Sequence, residues 1–163
     1  GSLLIIFFLA AAVSAPIWTY FAARFGPKKI LLLAMSAAIT GFFNAYFLQE
    51  GQVITFAVIS LVSGATLGAD MTLLPALFAS YLAKRSNGAE IGFGLWNFVS
   101  KMTLAFTAVL VLPFLEWFGY QPGLTNTQKG LTALSAGYAL LPCLLKIMAV
   151  FALLRLPMRG HSK

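Results

Sequence analysis

Ionisable side chains are scarce in this sequence of 163 residues, since only 9% of them are charged. A soluble domain usually carries about 25% charged and roughly 45–50% apolar residues, whereas here the hydrophobic share is 60%. A chain with so little charge cannot cover a surface that faces water. The composition therefore excludes an ordinary globular enzyme, a disordered protein and a nucleic-acid-binding module, and it favours a polytopic helical membrane protein.

Cysteine and histidine are almost absent. The single cysteine, Cys143, provides no disulfide framework and no CxxC metal site, and the single histidine, His161, provides no metal or acid/base centre. The four carboxylates are scattered, and the sequence contains no nucleophile–base pair and no phosphate-binding loop. We therefore predict no enzymatic activity, no catalytic residues, no bound metal and no cofactor.

Long apolar runs dominate what remains. A membrane-spanning helix needs roughly 20 apolar residues, so the length leaves room for about five or six spans and no sizeable soluble domain. Five runs stand out, at residues 3–23, 30–48, 53–83, 92–115 and 131–156. Small residues within them, such as Gly64 and Gly68, let neighbouring helices approach closely. We predict an all-α bundle of five spans that occupies residues 1–163.

The basic residues predict the orientation of these spans. The net charge is +7, and most Lys and Arg follow the first, third and fifth runs: Arg24, Lys28, Lys29, Lys84, Arg85, Arg155, Arg159 and Lys163. By the positive-inside rule this side is cytoplasmic. We therefore expect an integral protein of the bacterial inner (plasma) membrane with a cytoplasmic C-terminus and no nucleic-acid partner. The outside start and the initial Gly1 lead us to expect a missing upstream portion.

The first cytoplasmic turn contains Arg24, Lys28 and Lys29 around Gly26. Basic groups at this place can cap helix C-termini and contact anionic lipid headgroups. The positive-inside rule alone explains them equally well.

Three charged residues lie deep inside the predicted spans: Asp70, Lys101 and Lys146. Each costs roughly 2.5–3.5 kcal/mol at the centre of a bilayer, so each calls for a reason. Asp70 and Lys101 lie at similar depths in consecutive antiparallel spans, so they can form a pair that lines a polar cavity and rearranges on binding. A static buried pair, or two groups in separate water-filled spaces, are the alternatives. For Lys146 we favour a structural role.

Polar and aromatic neighbours extend this candidate site. Asn97 precedes Lys101 by four residues, so the two share a helix face, and Trp96 flanks them. An aromatic ring beside polar groups suits a sugar-like ligand, although Trp96 also fits an interfacial aromatic belt. Pro75 and Pro142 each remove a helical hydrogen bond and are predicted to kink or break their spans, as hinges in transporters do.

Three stretches of sequence resemble a known family. Residues 22–29, AARFGPKK, look like the basic loop of major facilitator superfamily (MFS) transporters. Residues 64–80, GATLGADMTLLPALFAS, and 87–106, NGAEIGFGLWNFVSKMTLAF, are similar to the glycoside–pentoside–hexuronide:cation symporters, the group of melibiose permease. The resemblance implies that the five spans correspond to helices eight to twelve of a twelve-helix transporter whose N-terminal half is absent. It also maps Lys101 onto the lysine beside the central cavity of such symporters.

The resemblance implies a function as well. We expect a portion of a secondary active transporter that couples a sugar or related small solute to Na⁺ or H⁺ by alternating access. Lys101, Asp70, Trp96 and Asn97 are the candidate substrate or coupling residues, and the expected partners are the solute, membrane lipid and the missing N-terminal half. Two alternatives stay open: a small membrane interaction or accessory protein without transport activity, and a lipid or drug carrier of the same superfamily.

Overall fold

The computed structural model describes residues 2–47, 52–83, 89–117 and 128–156. These residues form five helices, which in chain order are α1 (Ser2–Phe25), α2 (Pro27–Tyr46), α3 (Val53–Leu82), α4 (Ala89–Trp117) and α5 (Gln128–Arg155). The predicted all-α fold is confirmed, and each helix contains most of one predicted apolar run.

Four helical segments are long and apolar enough to cross a membrane, judged by length and composition over the described residues: Leu3–Phe25, Pro27–Tyr46, Val53–Leu82 and Glu90–Trp117. The fifth helix, α5, has 28 residues. At 1.5 Å per residue it is about 42 Å long, which exceeds the hydrocarbon thickness of about 30 Å. Its predicted crossing is therefore compatible with its length and stays a prediction.

A single residue separates α1 from α2. Gly26 has a φ of 93°, in the left-handed region that side chains with a Cβ rarely adopt, and its N–H donates to the Ala22 carbonyl at 2.9 Å. Pro27 then begins α2, where a missing N–H costs nothing and the fixed φ suits a helix. The sequence Gly-Pro thus ends one helix and starts the next.

The backbones of α1 and α3 cross in close contact. A Cβ placed on Gly64 would overlap the carbonyl oxygen of Phe7, and one placed on Gly68 would overlap the carbonyl oxygen of Ala11. The two glycines are four residues apart, which puts them on one face of α3 and lets α1 lie against its backbone. This is the spacing at which small residues allow helices to associate in lipid.

Two side chains of α1 bind the backbone of α3 at the same crossing. The Trp18 indole N–H and the Ser14 hydroxyl both donate to the Ala65 carbonyl, at 2.7 Å and 3.0 Å. Hydrogen bonds between helices add to van der Waals packing where lipid gives no hydrophobic drive to associate. The α1–α3 pair is therefore the most closely joined unit of the bundle.

Helix α2 lies between α3 and α5 and packs on both. Its Leu31, Ala34 and Ala38 side chains are fully buried, and the core around them includes Leu73 of α3 and Leu153 of α5. Small side chains on α2 keep the three helices close together.

Helix α4 occupies the periphery and packs more lightly, on α3 and α5. Of the α4 side chains that the structure describes, only that of Leu115 is buried. Large apolar residues on α4, such as Leu104 and Phe106, are exposed. Such surfaces suit lipid tails or further helices and not water.

Candidate functional site

The centre of the candidate site is an ion pair between α3 and α5. The Lys146 ammonium contacts the Oδ2 atom of the Asp70 carboxylate, and both side chains are about four-fifths buried, with exposed fractions of 19% and 18%. Asp70 lies 12 residues before the end of α3 at Leu82, and Lys146 lies nine before the end of α5 at Arg155. At 1.5 Å per residue these positions are about 18 Å and 14 Å from the helix ends, so the two groups lie at similar depth.

The pairing of Asp70 with Lys101 is not found. Asp70 contacts Lys146 instead, and Lys101 is exposed on α4, with no ion pair to any residue that the structure describes. The physical reason is the packing: α3 crosses α1 and α2 closely, whereas α4 touches it only lightly. Lys146, for which we expected a structural role without a named partner, therefore forms an ion pair with Asp70.

The Asp70 carboxylate uses only one of its two oxygens within the described part of the chain. Its Oδ1 atom is buried and accepts no hydrogen bond from the described part of the chain. Ser63 lies two turns earlier on the same face, and its buried hydroxyl oxygen has no partner among the residues that the structure describes. Thr66, between them, donates to the Ser63 carbonyl. An unsatisfied buried polar atom costs about 1–3 kcal/mol, so this face of α3 has unused capacity to bind a polar group or ion.

Lys101 and Asn97 lie together on an exposed face of α4. Their separation by four residues places them one helical turn apart. The hydroxyls of Ser100 and Thr103 are turned back onto the carbonyls of Trp96 and Val99 at 2.8 Å. Lys101 and Asn97 form a polar stripe on α4 that is separate from the Asp70–Lys146 pair.

Trp96 is half-buried against α3. Its ring centroid lies 5.0 Å from that of Phe78, and Phe93 packs edge-on against the same ring at 5.7 Å. Trp96 therefore helps to hold α4 on α3. This packing leaves its role as a ligand contact a prediction.

Neither proline interrupts its helix. Helix α3 continues through Pro75 to Leu82, and α5 continues through Pro142 to Arg155. Neither helix is broken at its proline, and the predicted kink stays a prediction. Each proline still removes one N–H from its helix, because the ring nitrogen carries no hydrogen.

The basic turn closes the bundle at one end. Lys28 donates to the carbonyls of Leu154 and Leu156 at 3.3 Å and 2.8 Å, where α5 ends. Carbonyls in the last turn of a helix have no helical donor, so a cation there satisfies them and interacts favourably with the helix dipole. Lys28 thus occupies a position from which it can cap the C-terminus of α5. Arg24 lies over the Phe25 ring, 5.7 Å from its centroid.

Replacing Lys28 by methionine should lower the free energy of unfolding by about 1 kcal/mol, because the Leu154 and Leu156 carbonyls lose their donor. Denaturation of the intact protein in mixed micelles measures the change. Lys29→Met is the matched control, since Lys29 is the exposed neighbour on the same turn. Equal stability of the two variants would contradict the capping role.

Comparison with known proteins decides the family. A family model described as "MFS/sugar transport protein" matches residues 2–160, nearly the whole chain. The chain belongs to this MFS family. Together with its apolar helices, that membership makes the MFS chain an integral membrane protein.

Curated relatives of the MFS chain are longer proteins. Sodium-dependent lysophosphatidylcholine symporter 1 of Homo sapiens is 27% identical over 127 residues, which are 74% of this chain and 23% of the relative. Synaptic vesicle glycoprotein 2A of Rattus norvegicus is 25% identical over 119 residues, 72% of this chain and 16% of the relative. The chain thus spans about a quarter or less of the length of these proteins. No solved structure matches it significantly.

The sequence contained a signal for the ion pair in this MFS chain. Lys146 and Asp70 lie nine and 12 residues from the ends of their helices, and both helices end on the same predicted side of the membrane. Lys101 also lies at a similar depth in the membrane, and it belongs to α4, which follows α3 directly in the chain. Depth alone therefore left two lysines, and only the packing of α2 between α3 and α5 distinguishes them.

Proposed function

We propose that this chain is the C-terminal portion of a secondary active transporter that moves a sugar or related small solute together with a cation by alternating access. The observation that carries the proposal is the buried Asp70–Lys146 pair inside a chain of the MFS family. Ionisable groups in membrane helices are costly and typically mark substrate or ion pathways. The remaining helices would come from a portion outside this sequence.

The surroundings of the pair support movement. Within the described residues, α3 and α5 are not in close backbone contact, because α2 lies between them. The ion pair joins them through side chains alone. A side-chain link of this kind can break and form again more readily than a packed helix interface, which suits a carrier that alternates between two arrangements.

The polar stripe of α4 supports the solute site. Lys101 and Asn97 are exposed on this chain, and Trp96 lies one position before Asn97. In the complete transporter we place this face toward the central cavity, where the ammonium and the amide can bind hydroxyl groups. We place the basic end, with Lys28 and the C-terminus, in the cytoplasm of a bacterial cell.

A second substrate class has an observation in its favour. The matching family is described as a sugar transport protein, whereas a relative covering three quarters of this chain is named for lysophosphatidylcholine. We propose the sugar as substrate and the lysophospholipid as the competing candidate. The third hypothesis is a non-transporting accessory protein, which would take up none of these compounds.

The test is uptake by the intact protein reconstituted in vesicles. A panel of sugars and lysophosphatidylcholine is offered with an inward Na⁺ gradient, an inward H⁺ gradient or neither. We expect gradient-dependent uptake of a sugar, and we expect Lys101→Ala to lower the uptake rate about 10-fold, equivalent to ~1.4 kcal/mol.

Lys29→Ala is the matched control, since it removes an exposed lysine of the basic turn. Uptake of lysophosphatidylcholine and of no sugar would show that the lipid, and not a sugar, is the substrate. Uptake that is equal in Lys101→Ala and Lys29→Ala would remove Lys101 from the site. No uptake of any compound under any gradient would reject transport.

A further inference from the structure

The last two turns of α1 carry aromatic rings on the exposed surface of the bundle. Tyr20, Phe21 and Phe25 are all exposed, and the Phe21 and Phe25 rings stack with their centroids 6.2 Å apart. Tyr20 meets Phe21 edge-on, with a centroid distance of 5.7 Å. Tyrosine is enriched where a membrane helix leaves the bilayer. This aromatic patch (Tyr20, Phe21 and Phe25) therefore suits the level at which the acyl chains of a lipid meet its headgroup.

Basic side chains lie directly beside the aromatic patch. Arg24 precedes Gly26 and Lys29 follows it, and both side chains are exposed. The Arg24 guanidinium lies over the Phe25 ring, 5.7 Å from its centroid. A guanidinium has five N–H donors and can bind a phosphate through two of them at once. The turn between α1 and α2 thus places phosphate-binding groups next to apolar rings.

The contact between Lys28 and the end of α5 brings a further cation to this end of the bundle. The Lys28 ammonium donates to the carbonyls of Leu154 and Leu156. Arg155 lies between these two residues, and its side chain is exposed. Three helices therefore contribute to one basic cluster, which consists of Arg24, Lys28, Lys29 and Arg155.

The basic cluster has no carboxylate partner among the described residues. Asp70 pairs with Lys146. Glu90, which begins α4 on the same predicted side of the membrane, is exposed and forms no ion pair with the described part of the chain, and Glu116 lies at the other end of α4. The carbonyls that Lys28 contacts are neutral, so they do not compensate its charge. The cluster is therefore complementary to an anion.

We propose that the basic cluster and the aromatic patch together bind one anionic phospholipid of the surrounding bilayer, with its phosphate on the cluster and its acyl chains along the rings. Charge complementarity favours the phosphate, and each basic residue near a membrane surface strengthens such binding about 5-fold. The exposed rings favour the chains, because apolar area is removed from water. A soluble anion or an acidic protein would use the charges and not the rings. This site is independent of the proposed transport.

Native mass spectrometry of the intact protein counts bound lipids directly. The protein is kept in an uncharged detergent and titrated with phosphatidylglycerol or, in a second series, with phosphatidylcholine. A third series adds glycerol 3-phosphate, the free anion, to the complex with phosphatidylglycerol. We expect the first phosphatidylglycerol to bind at least about 10-fold more tightly than the first phosphatidylcholine, and we expect glycerol 3-phosphate not to displace it.

Two variants test the two parts of the site. Arg24→Gln/Lys29→Gln removes two exposed charges and should weaken phosphatidylglycerol binding about 25-fold. Its matched control is Lys129→Gln, at the opposite end of α5. Phe25→Ala removes an exposed ring without changing the charge and should weaken binding at least about 3-fold, because the acyl chains lose apolar contact. Its control is Phe43→Ala, which removes an exposed ring near the other end of α2.

Each outcome bears on the site. Selective binding of phosphatidylglycerol that weakens in the charge variant and in Phe25→Ala, and is unchanged in both controls, supports it. Equal affinity for the two lipids, or equal weakening by Arg24→Gln/Lys29→Gln and Lys129→Gln, would overturn it. Displacement by glycerol 3-phosphate, or unchanged affinity in Phe25→Ala, would indicate a site for a soluble anion and reject the lipid.

Discussion

Replacing Gly64 by valine should separate α1 from α3 and leave little of the protein folded. The added Cβ would overlap the carbonyl oxygen of Phe7, which is backbone and cannot rotate away. Overpacking usually costs 1–3 kcal/mol, and here it also pulls Ala65 away from Trp18, whose hydrogen bond contributes about 1 kcal/mol. We expect a loss of about 3 kcal/mol or more in the free energy of unfolding.

The measurement is denaturation of the intact protein in mixed micelles, together with its size-exclusion profile. Gly94→Val is the matched control, because a Cβ on Gly94 meets no atom within 4 Å. Gly41→Ala is a second, since the nearest atoms would lie at an ordinary 3.6 Å. If Gly64→Val unfolds at the same denaturant concentration as Gly94→Val, the close crossing of α1 and α3 is wrong.

Replacing Asp70 by leucine should lower the free energy of unfolding by about 3–5 kcal/mol, since it leaves the Lys146 ammonium buried without a counter-charge. Lys146→Met should have a similar effect by leaving the carboxylate unpaired. The double variant Asp70→Leu/Lys146→Met should recover most of the loss, because two apolar side chains need no partner.

The double-mutant cycle isolates the pair from the rest of the site. Its control cycle is Asp70→Leu with Lys101→Met, which should be additive, because Lys101 is exposed on α4 and forms no ion pair with Asp70. Additive effects for Asp70 and Lys146 would contradict their pairing, and coupling between Asp70 and Lys101 would identify Lys101 as the partner.

The helices of this protein were predictable from local properties of the chain. Long apolar runs, the Gly26-Pro27 turn and the placement of basic residues each depend on a few neighbouring positions. The sequence predicted that a basic residue of this turn caps the end of some helix, because the turn and other helix ends lie on the same, cytoplasmic side. Which helix end Lys28 contacts depends on how the helices pack, and the sequence does not show that.

The partner of Asp70 was not predictable in the same way. Lys101 and Lys146 both lie near the right depth, and the hydrophobic effect does not select one helix contact over another in lipid. The selection comes from Gly64 and Gly68, which bring α1 against α3, and from the small residues of α2, which place α5 within reach. The two glycines are visible in the sequence, but the sequence does not show which helix packs against them.

The separation of Asp70 and Lys146 along the chain also has a consequence for synthesis. The two residues are 76 positions apart, so at about 5–20 residues per second the ribosome needs about 4–15 s to reach the lysine after the aspartate. During that interval the carboxylate enters the bilayer without its counter-charge. The apolar residues of α3 must offset that cost until α5 is inserted and its Lys146 supplies the counter-charge.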